Sequence, residues 1–527
     1  MQITRIKQLA RIAWGLGNFL KSPMTLEQAK SDIRKRMDNR ESNFLTLAKK
    51  LIYENQYSPY RKLLLWVGCE YKDLEENVRH LGIENTLEKL RDEGVYLSLE
   101  EFKGKIPICR NGLTFETIQT DFDNPFLMGK SIQGSTSGSR STGTRVMYDW
   151  NFLAEESANE LMLFETHGLS NAPLVLWLPG LPGLSGILNL LINIKFRRLP
   201  EKWFSHLGDG MVGNSLKNRL FIEYLALCCR MFGLCMPRPE FTNVRSAIKV
   251  AEWVERTKKH KGMSVVRTYT SSAVHIVQAA IEKGIDISGS VIFTGGEPLT
   301  ERRYRFIESA GVKVYPRYAA TETGLIGASC GNVNFPDDMH IYTDRLAIIQ
   351  RLCKTVIGGH SVNSYLFTSL SLNTGKVLLN TDIGDFGRIN TKPCSCLFGD
   401  LGMNVHVSEV RSYDKLTGEG MTLLGSELDE IVGEMIENAG GGPDDYQFWE
   451  TQDSEDLSKL IIAISPEIQN LNEKDFIDAI LEKLNSIGSN ITSQIWRQAD
   501  TLQVVRAYPE LTKGHKMLPI IKEPKQP

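Results

Sequence analysis

Residues 131–145, Ser-Ile-Gln-Gly-Ser-Thr-Ser-Gly-Ser-Arg-Ser-Thr-Gly-Thr-Arg, combine hydroxyls and glycines with two arginines and no acid. Such a run is suited to holding phosphate. Gly134, Gly138 and Gly143 let the backbone approach an anion and turn its N–H groups inward, while Thr136, Ser137, Ser139, Thr142 and Thr144 add hydroxyl donors. Arg140 and Arg145 supply counter-charge. A Walker loop ends in Gly-Lys-Ser/Thr, which this stretch lacks, so a P-loop NTPase is excluded on the residues themselves. A flexible Gly/Ser linker has the same composition, and what separates the two readings lies downstream.

The elements that must position this chemistry can be read in order. Val146-Met147-Tyr148 reads as the second strand of a hairpin with the loop at its tip, and Asn151 to His167 as a helix. From Val265 to Gly324 strands alternate with helices: Val265–Tyr269, a helix capped by Ser271 or Ser272 and ended by Gly284, then Val291–Phe293, a helix from Leu299 to Ala310, and Val312–Tyr315. That alternation predicts a parallel α/β sheet whose ligands sit beyond the strand C-termini. Two loops fall there, Thr294-Gly295-Gly296-Glu297-Pro298-Leu299 and Tyr318-Ala319-Ala320-Thr321-Glu322-Thr323-Gly324. Val377–Leu379 reads as a short strand leading into Asn380-Thr381-Asp382-Ile383-Gly384-Asp385-Phe386-Gly387. After Arg411 strands at Tyr446–Trp449 and Leu460–Ile464 and a helix at Glu473–Leu484 suggest a small α+β domain. The expected organisation is a helical region 1–120 packed on a core 121–410, followed by a mobile lid domain 411–527.

Taken in order, the hydroxyl/glycine loop, Gly-Gly-Glu-Pro-Leu, Tyr-Ala-Ala-Thr-Glu, Gly-Asp-Phe-Gly and Thr512-Lys513-Gly514-His515-Lys516 resemble the motifs of adenylate-forming acyl-activating (AMP-binding) enzymes. Asp-Ile-Gly-Asp-Phe-Gly, the Cys394-Ser395-Cys396 pair and Asp444-Asp445-Tyr446-Gln447-Phe448 resemble the phenylacetate–CoA ligase-like branch. The resemblance spans residues 130–518 and implies an α/β enzyme with a large N-terminal domain and a small C-terminal one. It implies attack of a carboxylate on the α-phosphate of ATP, release of pyrophosphate, and acyl transfer to coenzyme A or a carrier-protein phosphopantetheine. By the same resemblance Glu322 binds Mg²⁺, Thr321 bonds the α-phosphate, and Lys516 bridges the carboxylate and the α-phosphate. Asp385 and Arg411 take the ribose, and Gly295, Gly296, Glu297 and Tyr318 line the adenosine and acyl pocket. Residue by residue the alternatives are ordinary: a Thr-Glu pair after a strand caps helices, an Asp in Ile-Gly-Asp-Phe-Gly turns a chain, and a tail lysine is solvated.

The chain departs from the family pattern in three places. Arg140-Ser141 reads as an insertion, and Arg145 stands where lysine is usual and would hold phosphate as a planar fork. Pro179-Gly180-Leu181-Pro182 replaces a Pro-x-x-His segment, so no histidine acts from that position. His515 separates Gly514 from Lys516, which leaves Lys513 and Lys516 both open as the catalytic lysine. Cys394-x-Cys396 followed by His406 offers three zinc ligands without a fourth, and two buried or loop thiols are the simpler reading.

Composition bounds these expectations. At 527 residues the chain exceeds one core. Nine scattered cysteines without an even framework suggest reduced thiols and a cytoplasmic protein. Through Lys62 there are 13 Lys/Arg against 5 Asp/Glu, a local +8, which leaves −10 for the remainder of a chain of net −2. Such a head can meet an acyl carrier protein or a membrane surface, with Ile6, Leu9, Ala10, Ala13 and Trp14 on one side of an amphipathic helix, or dock on the protein's own body. No nucleic-acid partner is expected. Leu174–Ile194 is apolar and long enough to span a membrane, but its prolines and glycines break it into strand, turn and helix. Two other activities remain open: a non-catalytic paralogue that binds a nucleotide or acyl adenylate, and an amide or ester synthetase. The acid, aryl or fatty, is set by apolar residues such as Trp177 and Leu181 that would equally form a core.

Overall fold

The computed structural model describes residues 15–127, 132–135, 145–181, 183–206, 216–332, 335–354, 361–412, 424–452, 458–486, 502–512, 516–518 and 520–522. The amphipathic face proposed for Ile6 to Trp14 lies outside them. The chain begins with helices α1 (15–21), α2 (Leu26–Asp38), α3 (Arg40–Leu47), α4 (Pro59–Trp66), α5 (Tyr71–Asp92, broken at Gly82) and α6 (Leu99–Phe102). Capping boxes start α2 and α6, where Thr25 accepts from the Gln28 amide and Ser98 from that of Glu101, and at α5 the Asp73 carboxylate accepts from the Glu70 amide. Two small hairpins follow, β1 (Ile108–Arg110) with β2 (Leu113–Phe115), and β3 (Ile132–Ser135) with β4 (Arg145–Tyr148). The second pairs Ser135 with Arg145, so the hydroxyl/glycine loop joins its strands, as expected.

Helix α7 (Trp150–Thr166), capped by Asp149, leads into β5 (Leu174–Trp177), α8 (Ser185–Ile194), β6 (Lys202–Ser205), α9 (Leu216–Met231), β7 (Pro239–Phe241), α10 (Ile248–Lys261) and β8 (Val265–Tyr269). The apolar stretch 174–194 is thus strand and helix, and among the described residues no helix is long and apolar enough to cross a membrane. Then come α11 (Thr270–Lys283), β9 (Val291–Gly295), α12 (Glu301–Ser309) and β10 (Lys313–Ala320). Strands β11 (Gly324–Ala328), β12 (Met339–Ile341), β13 (Leu346–Lys354), β14 (Ser361–Ser369) and β15 (Thr381–Thr391) follow, then α13 (Leu397–Asp400) and β16 (Val405–Ser412). Twelve of these strands form one sheet, in the order β13-β14-β15-β16-β12-β11-β10-β9-β8-β5-β6-β7.

Strands β5 to β10 are mutually parallel, and the pairings from β10 through to β13 are antiparallel. The α/β class expected from the alternation is therefore present, with an antiparallel half that it did not announce. Every residue of β5 and β8 is buried because helices cover both faces of a parallel sheet. One core lies between that half and α7, α8 and α9, another between it and α10, α11 and α12. A third joins α3, α4 and α5 to the antiparallel half.

Val377–Leu379 is not a strand, contrary to the sequence reading. It is a buried extended segment that ends at Asn380, whose φ of 46° turns the chain and whose side-chain Nδ2 donates to the Leu87 and Val95 carbonyls. The register is irregular at Tyr318/Ala319 and at Phe386/Arg388, two bulges flanking the site below.

The last described elements are α14 (Leu424–Asn438), β17 (Tyr446–Gln452), β18 (Ser458–Ile464), α15 (Glu473–Ser486), β19 (Leu502–Arg506) and β20 (Ile520–Lys522). They form a four-stranded sheet, β19-β18-β17-β20, with its own core around Val432, Phe448, Ile462 and Ile480.

Candidate active site

Strands β8, β9 and β10 end side by side, and their C-terminal ends carry Tyr269, Gly295–Glu297 and Tyr318–Thr321. At the end of β10 the Tyr318 hydroxyl donates to Asp385 Oδ2 at 2.7 Å, bringing together two residues assigned separately to the adenosine pocket. Burial, then the Asp385 charge, hold the Tyr318 hydroxyl well above its ordinary pKa, so it remains the donor. The hairpin β3–β4 reaches the same corner. Tyr148, the last residue of β4, donates from its hydroxyl to the Thr321 carbonyl at 2.9 Å. Burial and then the Glu322 carboxylate raise the Tyr148 pKa.

Glu297, assigned from the sequence to the adenosine and acyl pocket, bonds the start of α11. Its carboxylate accepts from the Ser271 amide at 2.7 Å and the Ser271 hydroxyl at 2.9 Å, capping the N-terminus of α11. Ser271 or Ser272 was expected to cap that helix; both lie inside it, and the Ser271 side chain donates to the acid. Oε1 of Glu297 also accepts from the Met517 amide at 2.9 Å, which ties the C-terminal segment to the core. Burial pushes the Glu297 carboxyl up, opposed by the Arg303 charge and the Ser271 donors.

The lysine-bearing segment is held from below by Gln447 on β17. Its amide nitrogen donates to the Glu510 and Leu518 carbonyls at 3.0 and 2.7 Å, and its oxygen accepts from the Glu510 amide and the Trp449 indole. Leu511 and Met517 form a bridge, and within it the Thr512 hydroxyl accepts from the Lys516 amide. The Lys516 ammonium then lies 5.2 Å from the centre of the Tyr269 ring. It also sits 3.0 Å from where a Cβ on Gly296 would stand, and Gly296 has φ +77°, so only glycine fits that position. Of the two candidate lysines, Lys516 therefore reaches the strand ends; Lys513, Gly514 and His515 lie outside the described residues.

Also outside them are Thr136, Ser137, Gly138, Ser139, Arg140, Thr142, Gly143 and Thr144, together with the side chain of Arg145. Arg411 lies opposite Phe386 in the β15–β16 ladder, one step from Asp385, and its guanidinium meets Asp337 at 3.3 Å. His406, weighed with the cysteine pair, bonds Asp338 through Nδ1 at 2.7 Å instead.

Several participants had no signal of their own in the sequence. Tyr269 ends one parallel strand and His206 follows another, where the strand-end rule points, but no motif marks them. The His206 ring, from the residue that follows β6, stacks on Trp177 and Tyr269 with centroids 4.7 and 5.9 Å away. The Tyr269 hydroxyl meets the Ser185 hydroxyl at 3.0 Å. Arg303 and Asp444 form a buried ion pair between α12 and the turn before β17, at 2.6 and 2.9 Å.

No family model matches this chain, and no curated protein matches it. Among solved structures it is similar to a 2-hydroxyisobutyryl-CoA ligase in complex with 2-HIB-AMP and CoA, at 14% identity over 95% of this chain and 91% of that one, with a TM-score of 0.44. It is similar to the anthranilate CoA ligase AuaEII in complex with anthranoyl-AMP at 12% identity, over 73% of this chain and 65% of that one, with a TM-score of 0.43. A fatty acyl-adenylate ligase structure, from work on the E. coli and L. pneumophila enzymes, matches at 13% identity over 73% and 67%, with a TM-score of 0.41. Likenesses at this level carry no weight in assigning the chain a family or an activity.

Proposed function

We propose that this protein activates a carboxylic acid with ATP, forming an acyl adenylate and pyrophosphate, and passes the acyl group to a thiol of coenzyme A or a carrier-bound phosphopantetheine. The observation that carries the reading is convergence. Segments around residues 148, 296, 318, 385 and 516, far apart in sequence, meet at the C-terminal ends of parallel strands through named contacts. Each residue type suits its place. A carboxylate anchored by Tyr318 is the acceptor that ribose hydroxyls require. A hydroxyl/glycine hairpin pinned to Thr321 supplies neutral donors for phosphates, and Glu322 beside it is a hard oxygen ligand fit for Mg²⁺, which would offset triphosphate charge. Lys516, on a segment tethered to Glu297, supplies positive charge where a carboxylate and an α-phosphate would develop negative charge between them. The aromatic stack Trp177–His206–Tyr269 beside that lysine suits an aryl or other flat apolar acid.

The direct test is pyrophosphate release with ATP, Mg²⁺ and a panel of aryl, fatty and amino acids, with and without coenzyme A. Acid-dependent release, and a thioester when coenzyme A is present, is the expected result. ATP binding without release from any acid, including with a phosphopantetheinylated carrier present, would overturn the catalytic reading in favour of a nucleotide-binding protein. Release with product formed only on an amine or alcohol would replace the thiol acceptor.

A further inference from the structure

Away from the strand ends, four side chains from three segments converge. Cys330 follows β11, His340 lies in β12, and Cys394 and Cys396 lie between β15 and α13; their ligand atoms all fall within 4.8 Å of one another. Cys330 Sγ is 3.7 Å from Cys394 Sγ and 3.3 Å from His340 Nε2, and Cys396 Sγ is 3.2 Å from the same nitrogen. A tetrahedral zinc with Zn–S of about 2.3 Å and Zn–N of about 2.0 Å requires S···S edges of about 3.8 Å and S···N edges of about 3.5 Å. The three separations just given match those edges to within a few tenths of an ångström.

The surroundings orient the ligands. His340 Nδ1 lies 2.7 Å from the Met403 carbonyl, which only accepts, so Nδ1 carries the proton and the Nε2 lone pair faces the three sulfurs. The Gly399 amide points at Cys396 Sγ at 3.5 Å and the Asn332 amide at Cys394 Sγ at 4.0 Å, donors suited to thiolate charge. A Cβ on Gly399 would stand 1.8 Å from the Cys394 carbonyl oxygen, so the Cys-x-Cys-x-x-Gly turn closes only with glycine there. Cys330, His340 and Cys396 are buried.

We propose that Cys330, His340, Cys394 and Cys396 bind one zinc ion as a structural site. Three soft thiolates and an imidazole in tetrahedral array select zinc over hard cations, and four protein ligands leave no open position for catalysis. The ion would clamp the β11–β12 connection to the β15–β16 connection. Strands β15 and β16 carry Asp385 and Arg411 at their opposite ends, so the site fixes the register of the ladder that presents them. It does not depend on the adenylation reading.

The test is metal content of the full-length protein by inductively coupled plasma mass spectrometry, with X-ray absorption at the zinc edge. One zinc per chain in a shell of three sulfurs and one nitrogen is expected. Cys394→Ser/Cys396→Ser should lose the metal, while Cys109→Ser and Cys235→Ser, at exposed thiols, should keep it. Cobalt exchanged into the unaltered chain should show thiolate charge-transfer and tetrahedral d–d bands, a readout independent of whether the ligand variants fold. The proposal is overturned by folded protein that takes up less than about a tenth of an equivalent after incubation with zinc. An oxygen/nitrogen-only shell, or a Cys330–Cys394 disulfide found by peptide mapping, would overturn it equally.

Discussion

At the scale of single residues, the proposed chemistry separates into side chains that bind and one that acts on developing charge. Tyr318→Phe removes a hydrogen bond to an ionised acceptor, an interaction of about 1.5–3 kcal/mol. ATP binding measured by calorimetry should weaken roughly tenfold to a hundredfold, with pyrophosphate release at saturating ATP little changed. Lys516→Ala should do the reverse: pyrophosphate release should fall on the order of a hundredfold or more, while ATP affinity changes far less. If Lys513→Ala produces that loss and Lys516→Ala does not, the lysine assignment is wrong. Glu322→Gln should abolish adenylation without lowering the melting temperature, since it removes a carboxylate but keeps its volume. Unchanged turnover in that variant would remove Glu322 from the site.

At the scale of elements, what was legible in the sequence was what local pattern determines. The alternation of Val265–Tyr269, Val291–Phe293 and the helices between them reports a parallel sheet because each strand is buried on both faces. The hairpin around the hydroxyl/glycine loop was legible from Val146–Tyr148 for the same reason. Val377–Leu379 misled because its burial looks like that of a strand, while the turn at Asn380 depends on carbonyls of residues 87 and 95. The cap of α11 was misassigned because Glu297 reaches it from another strand. Of the proposed zinc ligands Cys330 and His340 escaped, because Cys330 lies 64 residues from Cys394, and His406, nearer in sequence to the cysteine pair, is taken by Asp338. One close approach makes an element-scale prediction. A Cβ on Gly327 would stand 2.1 Å from the His340 carbonyl oxygen, so Gly327→Ala must part β11 from β12. Its denaturation midpoint should fall by the equivalent of about 1–3 kcal/mol.

At the scale of the molecule, a buried ion pair and the Glu297–Met517 bond are among the contacts that fasten the C-terminal residues to the core. Arg303 and Asp444 are buried, and removing one partner of such a pair typically costs about 3–5 kcal/mol because the other charge is left unpaired. Arg303→Met should therefore be markedly destabilised in chemical denaturation, and Arg303→Met/Asp444→Leu should recover most of the loss; failure of the double variant to recover would mean that the pair is not isolated. The basic head is likewise partly spent on the body: Arg36 bonds Asp344 at 2.7 Å, and Arg40 bonds the Thr343 carbonyl and Glu84. Those two arginines were not distinguishable from the rest by charge counting, since Asp344 and Thr343 lie some three hundred residues away.

The grip on residues 510, 517 and 518 has a chemical consequence. Gln447 and Glu297 hold them through backbone amides and carbonyls, and none of those bonds uses the Lys516 side chain. The amine is therefore an exchangeable fitting on a fixed mount. Lys516→Cys treated with bromoethylamine would carry a thioether homologue of lysine at the same station, and regain of turnover there, but not in identically treated Lys516→Ala, would show that the segment presents an ammonium rather than being shaped by it.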